Sequence, residues 1–121
     1  MEFPEIIIVR EPITLSAVQA LAKGWHGNMV KGVADCRRGI MALGGEWHMD
    51  ANVCLLKDGS AQEDLWGFSI YPAERGGDAL DYLSLINIRP TQGNYEMELG
   101  HPEFRNAIRA LVLKYLPDLP L

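Results

Sequence analysis

The chain has 121 residues, 48% of them hydrophobic and 22% charged, which is the composition of one globular domain and excludes a disordered or fibrous chain. Eleven basic against sixteen acidic residues leave a formal charge of -5 and a pI near 5.1, arguing against a nucleic-acid partner held through broad basic patches. No apolar run approaches the roughly 20 residues of a membrane-spanning helix, and the start MEFPEIIIVR is acidic where a signal peptide is basic, so the expectation is a cytoplasmic protein without a membrane partner.

In chain order, Glu5 to Arg10 carry three isoleucines and a valine, the β-branched enrichment of a short buried strand that Pro12 ends. Thr14 or Ser16 then caps a helix to about Lys23, with Leu15, Val18, Leu21 and Ala22 on one side and Gly24 as its stop. Met29 to Leu56 reads as two strands joined near Arg37-Arg38-Gly39, the second interrupted at Gly44-Gly45, where adjacent glycines suggest a bulge. Asp58-Gly59-Ser60 is the next turn, and residues 61 to 64 are exposed loop.

LWGFSIYP alternates Trp66, Phe68 and Ile70 with Gly67, Ser69 and Tyr71, and Pro72 closes that strand. After a loop over residues 72 to 78, DYLSLINIRP reads as the last strand, with Ile86 and Ile88 on one side and Asn87 and Arg89 on the other. Past the turn PTQGN, His101-Pro102 opens a final helix whose apolar stripe is Phe104, Ile108, Leu111, Val112 and Tyr115. The expected architecture is a single α+β domain over residues 1–121, a mainly antiparallel sheet of about five strands covered on one face by two helices. The other face is then open, and strand parity places Glu46, His48, Asp50 and Asn52 on it in one row, joined by Lys31, Asp35, Ser69, Tyr71, Asn87 and Arg89.

An imidazole between two carboxylates suits acid/base chemistry: His48 titrates near neutrality, and Glu46 or Asp50 fixes its tautomer. Arg89, pinned by Pro90, offers a planar fork to an anionic group, so His48 and Arg89 are expected to share a pocket that Asn87, Asp35 and Trp66 border. A metal held by His48 with one neighbour would need further ligands from Asp35 or Asn87, so no metal is assigned. No cofactor is identified. His26 and His101 read as helix-end residues, and Cys36 and Cys54, without CxxC spacing, as buried thiols. No nucleophile elbow or phosphate-cradling GxxxxGK loop is present.

The segments VKGVAD, IMALGGEWHMDA, DGSAQEDLWGFSIYP and INIRPTQGN resemble a small bacterial family catalogued only as a domain of unknown function, over nearly the whole chain. Its pattern is a glycine pair followed by Glu-x-His-x-Asp, then DGSxQxDLWG and INIRPxxGN, and Asn52 stands where that pattern has an acid. The resemblance supports the domain boundaries and the choice of site while implying no activity. Two functions therefore stand: an acid/base hydrolase or binding site for a small anionic or nucleotide-like ligand on the open sheet face, or a non-enzymatic protein-binding module or homodimer acting through the sheet face or edge.

Overall fold

The structure, a computed structural model, describes residues 6–121; Glu5, the first residue of the expected opening strand, lies outside them. Among the described residues eight strands and α-helices follow one another: β1 (Ile7–Val9), α1 (Leu15–Trp25), β2 (Val30–Asp35), β3 (Ile40–Leu43), α2 (His48–Lys57), β4 (Leu65–Ile70), β5 (Leu80–Asp81) and α3 (Pro102–Tyr115). The strands form one sheet in the order β1-β3-β2-β4-β5, and every neighbouring pair is antiparallel. This is the expected α+β class, with one helix more than the sequence suggested.

The sequence accounts for most of the boundaries. Thr14 caps α1, its Oγ1 accepting from the Ala17 N–H at 3.2 Å, and Asp35 Oδ1 accepts from the N–H groups of Arg37 and Arg38 to build the β2–β3 turn. Both Gly44 and Gly45 sit at positive φ, 115° and 99°, as a glycine pair at a forced turn should. They do not bulge a strand, however. They end β3 and turn the chain into α2.

The third helix is the main correction. Glu46, His48, Asp50 and Asn52 do not share a strand face, because His48 to Lys57 are helical. Trp47 is the N-cap, and Asp50, three residues on, returns its Oδ2 to the Trp47 N–H at 2.9 Å; the negative charge also complements the helix N-terminus. Ala51 and Leu55, one turn apart, face inward and are fully buried, and Gly59 at φ 105° follows the last turn.

Topology explains where α2 goes. The chain runs β1-α1-β2 and β3-α2-β4, each crossover skipping one strand in the same direction across the sheet, but β1 and β3 are antiparallel. Crossovers of one hand starting from opposed strands put their helices on opposite faces. Accordingly α1 and α3 pack over Val30, Ala34, Met41, Leu43, Phe68 and Ile70, whereas Ala51 and Leu55 of α2 pack with Val33, Ile40, Ala42 and Leu65 on the reverse side. Each large side chain so buried, Phe68 or Leu55, contributes roughly 1.5–3 kcal/mol. The expectation of helices on a single face is thus corrected, and only the part of the second face that α2 leaves uncovered remains for a site.

A second correction concerns DYLSLINIRP. Only Leu80–Asp81 is strand; Leu85–Asn87 and Pro90–Gln92 are single 3-10 turns, with isolated bridges Leu83 to Glu98 and Arg89 to Asn94. Asn87 holds this segment down from inside. Fully buried, it accepts from the Gly67 N–H at 2.8 Å and donates to the carbonyls of Gly67, Tyr82 and Met97.

Candidate functional site

On the second face a cavity of about 580 Å³ opens where α2 ends its cover. Its floor is Lys31, Ser69 and Tyr71, of which Lys31 and Ser69 are cross-strand partners on β2 and β4. One wall is the start of α2, with Trp47, His48 and Met49; the other is the non-strand segment with Leu83, Ser84, Leu85 and Ile86, and Met29 and Met97 close it. Apolar groups therefore dominate, with a few polar side chains among them, the usual make-up of a small-molecule pocket.

His48 is the best-defined polar group. Its Nε2 lies 2.7 Å from the Phe68 carbonyl, an acceptor only, so Nε2 carries the proton and donates. In the neutral ring Nδ1 then holds the lone pair; it has no hydrogen-bond partner among the described residues and is not one of their buried unpartnered atoms. Burial, and secondarily the charge of Lys31, hold the His48 pKa below its ordinary value against the upward pull of the Phe68 carbonyl. The group is accordingly a neutral acceptor near pH 7. Ser69 Oγ lies 3.4 Å from Nε2, but a nitrogen that already donates to a carbonyl cannot take the serine proton, so these two do not form an activated nucleophile. If His48 acts as a base it does so through Nδ1.

The two charges of the cavity differ in how far the chain satisfies them. Asp81 accepts from the Tyr71 hydroxyl at 2.8 Å and from the Leu83 N–H at 3.3 Å, and burial with this carboxylate pushes the Tyr71 phenol up to about 12. Lys31 makes no ion pair among the described residues; its Nζ stands 5.1 Å from the centroid of the Trp47 ring.

The remaining expected site residues lie elsewhere. Glu46 is exposed, Asp50 is spent on the helix start, and Asn52 is buried in a reciprocal amide pair with Gln62, at 2.7 and 3.0 Å. Asp35 serves the β2–β3 turn, Asn87 the loop anchor, and Trp66 is fully buried and stacked on Phe104 at 5.0 Å. Arg89 lines no part of the cavity with His48: its guanidinium lies 3.6 Å from the Trp66 ring centroid and donates to Gln62 O, Gln92 Oε1 and Leu65 O. Of the nominated residues, only His48 reaches the cavity. Lys31, Ser69 and Tyr71 were placed on this face by strand parity alone, whereas Asp81, Ser84, Trp47 and the methionines carried no sequence signal.

His26 and His101 stand at helix ends, the C-cap of α1 and the N-cap of α3, with Nε2 near the Gly45 and Glu46 carbonyls in one case and the Gln92 carbonyl in the other. Both cysteines are free, and burial followed by the nearby Asp35 and Asp64 charges pushes the Cys36 thiol up to about 11, which keeps it unreactive. Among the described residues no three His, Cys, Asp or Glu side chains come together as a metal site, and Asp35 and Asn87 are not available to His48 as ligands. No described helix is long and apolar enough to cross a membrane.

Compared with known proteins, residues 7–115 match the model of one family, described as a protein of unknown function (DUF5674). No curated protein and no solved structure matches the chain.

Proposed function

We propose that this chain, which belongs to the DUF5674 family, binds a small, largely apolar molecule carrying one anionic group in the cavity between α2 and the Leu83–Ile86 segment. The observation that carries this reading is Lys31, a cation without a carboxylate partner among the described residues, on the floor of a cavity whose walls are mainly apolar. An anion from the ligand supplies the missing charge, and the surrounding low-dielectric walls strengthen that pairing. His48 Nδ1 adds an acceptor, so the ligand also presents one hydroxyl or N–H. Catalysis is no part of this reading, since neither His48 nor Asp81 has an activated nucleophile beside it among the described residues.

The test is a thermal-shift series in which each organic acid is paired with the alcohol of the same carbon skeleton. Binding at a hundred times Kd stabilises by about 2.7 kcal/mol, so the acid should raise the melting temperature by several degrees and the alcohol by far less. Lys31→Met should erase the difference within a pair. Equal shifts for acid and alcohol in the wild type would defeat the reading.

The rim favours a second reading. Trp47, Met49 and Leu85 are 58%, 50% and 66% exposed beside the cavity mouth, an unusual concentration of apolar surface that suits a protein partner or a second copy of this chain. Sedimentation over a hundredfold concentration range, with Leu85→Glu as control, decides between a monomer and a dimer closed over this face.

A further inference from the structure

The chain beyond β4 alternates between faces: Asp81 and Leu83 line the cavity described above, and Leu80 and Tyr82 line a separate cleft of about 200 Å³ against α3. Arg105 and Arg109, one helical turn apart, form one side of this cleft, and Gly76 and Gly77 form the other. Leu121 completes the lining, and no side chain that lines the cleft is acidic, although the whole chain carries a formal charge of -5. We propose that this cleft binds a phosphate dianion, free or as the end group of a small phosphomonoester.

Like charges at this helical spacing repel, so the pair of arginines costs stability unless something compensates it. Within the described residues the compensation is slight. Arg105 meets only Glu98, at 3.4 Å with both side chains largely exposed, and Arg109 meets no carboxylate. The Arg105 guanidinium is oriented by stacking over Tyr82, 4.4 Å from the ring centroid, which leaves N–H edges for an acceptor. Burial keeps the Tyr82 phenol above its ordinary pKa despite the two arginines, so its hydroxyl remains a donor.

On the glycine side, Gly76 adopts φ 58° and gives its N–H to the Pro120 carbonyl at 2.6 Å, whereas the Gly77 N–H has no acceptor among the described residues. A Cβ added at either glycine would meet nothing within 4 Å, so the wall is bare backbone facing open space, over which a ligand can approach closely. Two guanidinium groups, one phenol and one amide exceed what a planar carboxylate accepts; they suit the three free oxygens of a phosphoryl group. The volume of about 200 Å³, equal to roughly seven waters at about 30 Å³ each, holds that group but not a nucleotide.

The experiment is a 1H–15N NMR titration of the whole chain with inorganic phosphate, ionic strength being held constant with sodium chloride. Saturable shifts of the Gly77 amide and of the Arg105 and Arg109 Nε–H signals are expected, with affinity falling about tenfold in Arg109→Gln and partly recovering in Arg109→Lys. A parallel titration with glycerol phosphate assigns the source: tighter binding than inorganic phosphate marks an ester end group, equal or weaker binding marks the free ion. Shifts that stay linear, or that chloride reproduces, overturn the proposal. So does unchanged affinity in Arg109→Gln, whose exposed position leaves folding intact.

Discussion

Arg89 looks like an anion-binding residue in the sequence and a clamp in the structure, and its removal separates the two. The guanidinium joins three segments: it donates to Gln62 O at 2.7 Å, to Gln92 Oε1 at 3.0 Å and to Leu65 O, while lying flat over Trp66. Hydrogen bonds from a charged donor are worth about 1.5–3 kcal/mol each when removed singly, and the stack on an aromatic ring about 0.5–2 kcal/mol. These terms are not additive, and Arg89 is only half-buried, so water replaces part of what is lost. The net expectation for Arg89→Ala is a loss of about 3 kcal/mol, or about 12 °C in melting temperature at about 4 °C per kcal/mol. Arg89→Lys keeps the charge but not the planar fork and should lose about 2 kcal/mol. Urea unfolding followed by far-ultraviolet circular dichroism measures both. A change below about 0.5 kcal/mol in Arg89→Ala, the range of an ordinary surface replacement, would refute the clamp and return Arg89 to the list of ligand contacts.

Two further predictions follow from the cavity's own walls. The depressed His48 pKa means that the unfolded chain binds this proton more readily than the folded one, so stability is fully present above about pH 6.5, the unfolded value, and is lost as pH falls through the folded value. His48→Gln should flatten that slope below about pH 6.5, and a wild-type slope that persists in the variant would assign it to another group. A Cβ at Gly67 would lie 2.6 Å from the Ser84 Cβ, so Gly67→Ala should push out the segment that walls the cavity, costing about 1–3 kcal/mol by urea unfolding together with any ligand-induced thermal shift. Wild-type stability in Gly67→Ala would show that this segment is not packed as described.

The legible parts of the sequence were those where local rules and tertiary context agree. The β-branched run IIIV marked β1, the turn at Arg37-Arg38-Gly39 separated β2 from β3, alternation marked β4, and Thr14 and Pro102 marked helix starts, while the glycine pair marked irregular backbone that ends β3 instead of bulging it. The failure at GGEWHMDAN came from a coincidence of periods: polar residues at 46, 48, 50 and 52 mimic a strand, whereas α2 turns only two small or aliphatic positions, Ala51 and Leu55, fully inward. Asp50 at the third helical position and Gly59 beyond the end were helix signals present in the chain but outvoted by that alternation. At INIRP the alternation again suggested strand, yet the carbonyl and amide bonds that a strand partner would supply come from the Asn87 side chain. Of the site, the sequence identified His48 and, by parity, the floor; the walls depend on a crossover helix whose signals the alternation masks and on an irregular loop that no local pattern encodes.

Methionine methyl groups report directly on whether a ligand occupies the cavity over Lys31. Met29, Met49 and Met97 line it, while Met41 is fully buried in the core on the opposite face of the sheet. In a sample labelled with 13C at methionine methyls and titrated with the acid that gives the largest thermal shift, saturable shifts are expected at Met29, Met49 and Met97 with one common affinity, weakened in Lys31→Met, and none at Met41. Saturable binding that leaves those three methyls unmoved, or that survives Lys31→Met unchanged, would contradict a ligand site over Lys31.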